Sequence, residues 1–212
     1  MSAPSYDREA AVAHLTARDP RLGELLARVG TCRLEIYPRH SPYEFLSESI
    51  AYQQLNGKAA ASIFARYCGL FGRRSRAPKP ELVDGAAVEL LRTAGLSQAK
   101  ATALKDLAAK TLTGVVQGRA QLAKLDDDAI VERLTAVRGI GRWTVEMFLI
   151  FGLGRPDVLP VDDFGVRKGF QIAFRKRKQP TPKALMAWGE RWRPYRSVAS
   201  WYLWRAAETP KG

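Results

Sequence analysis

Apolar residues recur at helical spacing along most of the chain, whereas the alternating pattern of a half-buried strand is nearly absent. The clearest start signal is Ser41–Glu44 (SPYE), a capping box with proline at the first helical position. It precedes apolar residues at Phe45, Leu46, Ile50 and Leu55, which predicts a helix that begins here. The same signals predict further helices over 58–70, 81–94, 98–111, 126–134, 143–151, 164–174, 182–191 and 196–207.

The segments between these helices contain few strand signals. Only 33–37 has the pattern of a short strand, and 72–80, rich in Gly, Arg and Pro, is predicted to be an exposed loop. A succession of helices without strands predicts a mostly α fold. We expect two helical lobes with a cleft between them: a discontinuous lobe of residues 1–40 and 152–212, and a lobe of residues 41–151 that ends in a helix-hairpin-helix.

Length and composition exclude several classes of protein. A chain of 212 residues can bury a sizeable core without disulfides or metals. Two cysteines, Cys32 and Cys68, and two histidines are too few for a disulfide framework, a Cys-rich metal site or an iron–sulfur cluster. No apolar run approaches the roughly 20 residues of a membrane span, and the N-terminal residues do not resemble a signal peptide. We therefore expect a soluble, cytoplasmic protein with no membrane partner, located at the nucleoid if it is bacterial.

The charge of the chain points to a polyanionic partner. Lys and Arg number 34 against 21 Asp and Glu, a formal net charge of +13. From Arg167 to the end, twelve Lys and Arg stand against two Glu, among four of the five tryptophans. This composition suits phosphate contacts beside stacking surfaces for bases. A second interpretation stays open, in which the aromatics face a core and Arg175–Lys178 is a solvated loop.

Residues 134–145 (LTAVRGIGRWTV) are the most informative segment. A short predicted helix ends at Leu134, a tight turn contains Gly139 and Gly141, and an apolar helix begins near Arg142. Glycine allows the backbone to approach a ligand closely, and the start of the second helix offers unpaired N–H groups at a positive dipole end. This helix-hairpin-helix predicts a contact with a DNA phosphate.

Two adjacent aspartates follow a proline at a predicted helix start, in the segment 159–168 (LPVDDFGVRK). Helix capping explains one of them. Asp163, beside Phe164, is then a candidate for stabilising positive charge in a reaction.

Four segments in order resemble the helix-hairpin-helix superfamily of DNA glycosylases, and within it the 3-methyladenine DNA glycosylase II group, which removes alkylated bases. The resemblance covers roughly residues 38–204 and implies a cleft between two helical lobes, a hairpin that grips phosphate, and base flipping. The four segments are 49–55 (SIAYQQL), 137–144 (VRGIGRWT), 159–163 (LPVDD) and 191–197 (RWRPYRS).

The resemblance also implies roles for individual residues. Asp163 matches the catalytic aspartate and Asp162 the capping residue before it. The implied base pocket consists of Tyr52, Trp143, Met147, Phe164 and Trp192. The implied DNA contacts are Gln53 and Gln54, in the loop that fills the gap left by the flipped nucleotide, and Gly139, Gly141, Arg142 and Thr144. Backbone carbonyls of Thr135, Val137 and Ile140 match those that bind a monovalent cation, Na⁺ or K⁺.

The implied activity is excision of alkylated bases, of the 3-methyladenine and 7-methylguanine type, from damaged double-stranded DNA by a monomer with no cofactor for the chemistry. Bifunctional relatives place a lysine nucleophile where this chain has Trp143, so we expect no lyase activity, although Lys58 or Lys168 stays an alternative nucleophile. Mismatch-specific relatives carry a four-cysteine cluster, and no cysteine follows Cys68. A non-enzymatic helix-hairpin-helix DNA-binding module is the alternative from another class.

Three features depart from the family pattern. Bacterial members of the group often carry a β-rich N-terminal domain, which we expect to be absent or vestigial here. Met147 stands where some relatives have an aromatic residue, and Gln54 where some have a leucine wedge. Transfer of the reaction from the family is therefore stronger than transfer of the substrate range.

Overall fold

The computed structural model describes residues 6–37, 40–73 and 76–208. These residues form a mostly helical fold without a strand, because 33–37 contributes only one bridge, from the Tyr37 N–H to the Phe151 carbonyl at 2.8 Å. The α-helices in the described ranges are α1 (Arg8–Arg18), α2 (Pro20–Val29), α3 (Pro42–Tyr52), α4 (Gly57–Gly69), α5 (Pro80–Gly85), α6 (Val88–Thr93), α7 (Gln98–Leu112), α8 (Arg119–Leu122), α9 (Asp127–Thr135), α10 (Arg142–Met147), α11 (Phe164–Ala173), α12 (Pro182–Gly189) and α13 (Arg196–Glu208). A π-helical turn, Phe148–Leu153, continues α10, and a 3₁₀ turn, Glu190–Trp192, follows α12.

Side-chain caps explain where many of these helices begin. The capping box predicted for α3 is confirmed, since the Glu44 N–H donates to Ser41 Oγ at 3.2 Å and the Ser41 N–H donates to Glu44 Oε2 at 2.9 Å. Helices α4, α7, α9 and α12 begin after caps of the same kind, Asn56, Ser97, Asp126 and Thr181. These starts were predicted from the sequence to within about a residue.

Several expectations about the elements were wrong. The predicted helix 81–94 divides into α5 and α6, because Gly85 ends the first and Ala86 has extended backbone, with ψ 147°. The loop 72–80 is not exposed throughout, since Ala77 and Pro78 are buried. Helices α1, α2 and α8 were not predicted. The Asp19-Pro20 pair, a cap residue followed by proline, is a start signal that could have revealed α2.

The chain divides into two compact units. One, here the terminal unit, comprises Met1–Tyr37 and Leu149–Gly212; the other, the central unit, comprises Pro38–Phe148. The lobes expected from the sequence were 1–40 with 152–212, and 41–151. In the terminal unit α11 packs against α13 and α1 against α2, and in the central unit α3, α5 and α6 pack on α7.

The core of the terminal unit is aromatic around one buried carboxylate. Phe170 and Phe174 stack with ring centroids 4.3 Å apart, next to Trp188 and Trp192. Asp19, only 3% exposed, accepts hydrogen bonds from Trp188 Nε1 at 3.0 Å and from Trp192 Nε1 at 2.9 Å. Asp19 therefore ties the start of α2 to α12 and the turn after it.

Asp19 also has a local role, because it caps α2. Its Oδ1 accepts the Leu22 N–H at 3.2 Å. Three N–H donors thus depend on one buried side chain, and each would lose its acceptor if the carboxylate were removed.

The central unit is organised around α7. Its buried residues are Ala101, Ala103, Leu104, Leu107 and Ala108, a broad apolar surface that suits a helix contacted by α3, α5 and α6. Tyr67 of α4 is fully buried and packs near Phe64 and Phe71.

Membrane-spanning helices and metal-binding clusters are absent from the residues that the structure describes. None of the helices there is long and apolar enough to cross a membrane. Over the same ranges, no three His, Cys, Asp or Glu side chains are grouped to hold a metal ion. Cys32 and Cys68 are buried free thiols, and burial raises the pKa of both.

Replacement of Asp19 by alanine should destabilise the protein far more than removal of an exposed cap. Asp19→Ala leaves three N–H donors without their acceptor, and we expect a loss of about 3 kcal/mol or more in the free energy of unfolding. Asp7→Ala is the matched control, because Asp7 also caps a helix by accepting two N–H groups but is exposed. It should cost only about 1 kcal/mol. Urea unfolding followed by tryptophan fluorescence measures both, and equal losses would contradict this role of Asp19.

Candidate active site and nucleic-acid interface

The predicted hairpin is present in the central unit, between α9 and α10. Gly139 has φ +78°, a conformation that residues with a Cβ rarely adopt. A Cβ at this position would also stand 3.2 Å from the Cβ of Ala103 on α7. Backbone conformation and close packing therefore both favour glycine at 139.

The start of α10 offers its first N–H groups without a side-chain cap. Gly141 is the N-cap residue and is open on the side where a Cβ would stand. Arg142, the first helical residue, is exposed and lies 3.5 Å from Asp128 Oδ1 and 3.7 Å from Glu146 Oε1. A helix start of this kind is suited to an anion.

Thr144 does not fit its predicted role in full. Only 4% of the residue is exposed. The prediction of a DNA contact is wrong for its side chain, and the exposed surface in this turn belongs to Arg142 and Trp143.

A carboxylate of α7 fixes the turn of the hairpin. Asp106 Oδ2 accepts the Arg138 N–H at 2.6 Å and lies 2.6 Å from Lys110 Nζ. Partial burial opposes ionisation, but the Arg138 N–H and the Lys110 ammonium hold the pKa of Asp106 below its ordinary value. Sequence reasoning missed Asp106, although the Asp106–Lys110 pair at i,i+4 spacing was a visible signal.

The predicted insertion loop after α3 contacts the hairpin directly. Gln53 Nε2 donates to the Gly139 carbonyl at 2.9 Å. Gln54 is exposed and has φ +58°, in the left-handed region that is uncommon for residues other than glycine. Of the predicted DNA-contacting residues, the structure thus brings Gln53 and Gly139 together.

The predicted pocket residues of the central unit differ in exposure. Trp143 is 47% exposed on the first turn of α10, and Met147, one turn later, is half-buried. Tyr52 is also half-buried, with its ring edge-on to Phe64 at 6.4 Å between centroids. An exposed tryptophan ring offers a stacking surface for a base.

The carbonyls predicted to hold a cation lie at the end of α9 and in the turn. Val137 O accepts the Ile140 N–H at 3.1 Å. Among residues 6–37, 40–73 and 76–208, no hydrogen bond ends on the carbonyl oxygen of Thr135 or of Ile140. The Thr135 hydroxyl donates back to the Val131 carbonyl at 2.7 Å. The three carbonyls therefore keep lone pairs for another ligand.

Asp163 of the terminal unit is held by two donors. It is the N-cap of α11, and its Oδ1 accepts the Val166 N–H at 2.7 Å and Trp204 Nε1 at 2.8 Å. The residue is partly exposed. Two fixed N–H groups orient the carboxylate, which suits it to stabilise positive charge on a bound molecule.

The assignment of the helix cap to Asp162 is wrong. Asp163 takes the cap position directly before Phe164, and the turn from Pro160 to the Asp163 N–H places Asp162 one residue before the cap, where it is exposed. The capping residue and the candidate catalytic residue are therefore the same side chain.

Phe164 and Gly165 follow Asp163 in the first turn of α11. Phe164 is 71% exposed, an unusual exposure for so large an apolar ring. A Cβ on Gly165 would stand 2.8 Å from Trp204 Cδ1 and 3.1 Å from Asp163 Oδ1. Glycine at 165 is therefore needed for the indole to reach the carboxylate.

The prediction of Trp192 as a pocket residue is wrong. Trp192 has no exposed surface and its indole N–H is bonded to Asp19, so it belongs to the core of the terminal unit. Trp204 contacts Asp163 instead. Sequence reasoning missed Trp204. Several tryptophans of the basic tail, the segment from Arg167 to the end, have similar neighbours, and their spacing does not show which one faces α11.

The basic tail is only partly available to an anion. Arg196, 7% exposed, forms a two-pronged ion pair with Asp157, with Nε–Oδ1 at 2.7 Å and Nη2–Oδ2 at 3.1 Å. Arg193 lies 2.6 Å from Asp157 Oδ2 and 2.8 Å from Glu190 Oε2. The Arg193 hydrogen bond lowers the pKa of Glu190, and the same bond raises the pKa of Arg193. These arginines stabilise the fold.

The segment Arg175–Lys178 differs from the paired arginines. All four residues are exposed, and no carboxylate in the described part of the chain pairs with them. Lys176, Arg177 and Lys178 line a cavity of about 610 Å³ that also includes Trp188. Lys176 Nζ also lies 5.4 Å from the centroid of the Trp188 ring. Exposed cations without a carboxylate partner suit a solvated loop and a phosphate contact equally, so both interpretations of this segment stay predictions.

Comparisons with known proteins agree with this geometry. Residues 48–194 match the HhH-GPD superfamily of base excision DNA repair proteins. The chain is 37% identical over 196 residues to DNA-3-methyladenine glycosylase 1 of Schizosaccharomyces pombe. The matched region covers 92% of this chain and 86% of that relative.

Two solved structures resemble the whole chain. One is 3-methyladenine DNA glycosylase (Mag1) of Schizosaccharomyces pombe in complex with abasic DNA, with a TM-score of 0.84, 36% identity, and coverage of 95% of this chain and 98% of that chain. The other is a DNA-3-methyladenine glycosidase from Bacillus halodurans, with a TM-score of 0.86, 34% identity, and coverage of 99% and 94%.

Proposed function

Because the chain belongs to the HhH-GPD superfamily of base excision DNA repair proteins, we propose that it is a DNA-3-methyladenine glycosylase. It hydrolyses the N-glycosidic bond of alkylated bases, of the 3-methyladenine and 7-methylguanine type, and leaves the DNA strand intact. The names and coverage of its relatives support the class of enzyme. The observation that carries the chemistry is Asp163, fixed by the Val166 N–H and the Trp204 indole.

The reaction needs a negatively charged group whose position is fixed. Departure of the base leaves positive, oxocarbenium-like charge on the sugar. A carboxylate held in place stabilises this charge without reorganising during the reaction, and it can orient the attacking water. Asp163 has both properties, since two donors fix it and part of it is exposed.

The substrate class follows from the leaving group. An N-alkylated purine such as 7-methylguanine already carries positive charge, so it leaves without protonation by a strong general acid. An exposed indole such as Trp143 attracts a cationic ring through its electron-rich face. Trp143 also offers no amine, which is why we expect no Schiff base and no strand cleavage.

Binding of damaged double-stranded DNA rests on the hairpin. The uncapped start of α10, with Gly139, Gly141 and Arg142, would receive a phosphate of the backbone. The exposed Gln54 and its neighbour Gln53 would occupy the space that a flipped nucleotide leaves. The relative Mag1 was solved with abasic DNA, which supports this interface. All these groups lie in one chain, so we expect a monomer to suffice.

The carbonyls of Thr135, Val137 and Ile140 fit a monovalent cation. Oxygen donors of this kind suit Na⁺ or K⁺, and two of the three accept no hydrogen bond from the described residues. Such an ion would neutralise part of the charge of a nearby phosphate. The residues themselves would keep the turn in the conformation that the DNA contact requires.

Asp163→Asn should abolish base release but retain DNA binding. Asparagine keeps an oxygen that can accept the Val166 and Trp204 N–H groups, but it lacks the charge that stabilises the sugar cation. We expect single-turnover excision of 7-methylguanine from a duplex to fall about hundredfold or more, with affinity and melting temperature nearly unchanged.

Asp162→Asn is the matched control, because Asp162 is exposed and does not cap α11. It should excise at close to the wild-type rate, and the wild-type product should be abasic DNA that breaks only after alkali. Near-normal excision by Asp163→Asn would refute the assignment. Tight binding of damaged DNA without any base release by the wild-type protein would instead favour a non-enzymatic DNA-binding module.

Trp143→Ala should affect cationic and neutral damaged bases unequally. The lost stacking and cation–π interaction is worth about 1–2 kcal/mol for a cationic ring, which corresponds to roughly 5- to 30-fold in rate. We expect a correspondingly greater loss on 7-methylguanine than on neutral hypoxanthine. Leu112→Ala is the control, because Leu112 is 46% exposed, similar to Trp143 at 47%. Equal losses on both bases for Trp143→Ala would show that its ring does not recognise charge.

A further inference from the structure

A lysine of α7 holds the end of α3, from which the insertion loop continues. Lys100 Nζ donates to the carbonyl of Ala51 at 2.8 Å and to that of Gln53 at 2.7 Å. These are carbonyls of the last turn and C-cap of α3, which have no partner within the helix. A cation at this end also interacts favourably with the helix dipole. Lys100 is partly buried, and this burial lowers the pKa of its ammonium.

The same helix holds the hairpin. A Cβ on Gly139 would stand 3.2 Å from the Cβ of Ala103, so the hairpin turn packs closely on α7. Asp106 Oδ2 accepts the Arg138 N–H at 2.6 Å. Residues 100, 103 and 106 are three apart, so they lie along one face of α7. This face contacts the insertion loop at one end and the hairpin turn at the other.

A direct hydrogen bond also joins the insertion loop to the hairpin turn. Gln53 Nε2 donates to the Gly139 carbonyl, while the Gln53 carbonyl accepts from Lys100. Each DNA-facing segment is therefore bonded to α7 and to the other segment. Neither can shift without breaking a hydrogen bond that involves a charged group or a backbone carbonyl.

We propose that Lys100 and Asp106 are positioning residues that make the insertion loop and the hairpin act on DNA as one rigid body. The inference rests on the proposed function, since it concerns extrusion of a damaged base. Extrusion from a paired duplex requires unpairing and unstacking, and the insertion loop must resist the returning base. An insertion loop that is easily displaced would stabilise the extruded conformation of the base less. A lesion without a pairing partner needs less of this support.

The test compares one lesion in two contexts. Single-turnover excision is measured for 7-methylguanine paired with cytosine and for 7-methylguanine opposite an abasic site. Lys100→Met keeps the length of the side chain and removes the donors. We expect the variant to lose about tenfold more activity on the paired lesion than on the unpaired one, as expected when a charge-assisted pair of hydrogen bonds is lost.

Lys105→Met is the matched control. Lys105 also lies on α7, and its ammonium also donates to two carbonyls at a helix end, those of Asp84 and Ala86, which belong to neither loop. It should change excision in both contexts by the same factor, even if it lowers stability. Equal factors in the two contexts for Lys100→Met would overturn the inference.

Amide hydrogen exchange of the DNA-free protein gives a readout that does not depend on excision. Lys100→Met should speed exchange at residues 53–56 and 138–140, whereas Lys105→Met should speed it only near residues 84–88. Unchanged exchange at 53–56 in Lys100→Met would overturn the inference by itself. If the wild-type protein releases no base, the proposed function fails, and this exchange pattern still decides whether α7 holds the two segments.

Discussion

The close approach of α11 to α13 is the constraint on which the candidate active site depends. A Cβ on Gly169 would stand 1.8 Å from the Leu203 carbonyl oxygen, so the two helices touch at backbone distance. One turn earlier, Gly165 leaves the space that the Trp204 ring occupies. Trp204 can then donate to Asp163. The position of the carboxylate is thus set by packing between two helices, and a side chain held in this way is better placed for catalysis than one on a free loop.

Asp19, Asp106 and Asp163 each accept a backbone N–H group, and their surroundings decide what else each can do. Asp19 is enclosed by indoles and a helix start, so its charge serves only the core of the terminal unit. Asp106 is partly buried and holds the turn of the hairpin. Asp163 accepts two N–H groups and keeps exposed surface. Of these three, Asp163 alone is suited to stabilise charge on a substrate.

Local signals in the sequence were enough to predict much of the fold. Caps such as Ser41 and Asp126 are short-range hydrogen bonds, and Gly139 occupies a backbone conformation that favours glycine, so the α3 start and the hairpin were predicted correctly. The candidate Asp163 was found for the same reason, since it lies at a helix start after a proline.

Features that depend on tertiary contacts were missed or misassigned. Asp162 and Asp163 are equally good caps by residue type, and only the turn geometry decides between them. Trp192 and Trp204 are likewise indistinguishable by neighbours, yet one contacts Asp19 and the other Asp163. The roles of Lys100 and Asp106 at the two loops were missed, because the backbone groups that they bind there lie 32 or more residues away in the chain.

The proposed role of Asp163 is to stabilise positive charge on the sugar. It is tested most directly by the affinity for duplex DNA that carries a pyrrolidine, whose cationic nitrogen stands in for the charged sugar, relative to DNA with an uncharged tetrahydrofuran. Transition-state mimics bind about a hundredfold or more tightly than uncharged counterparts when the enzyme stabilises that charge. The wild-type protein should show such a preference, and Asp163→Asn should lose it. An equal preference in both proteins would contradict this role.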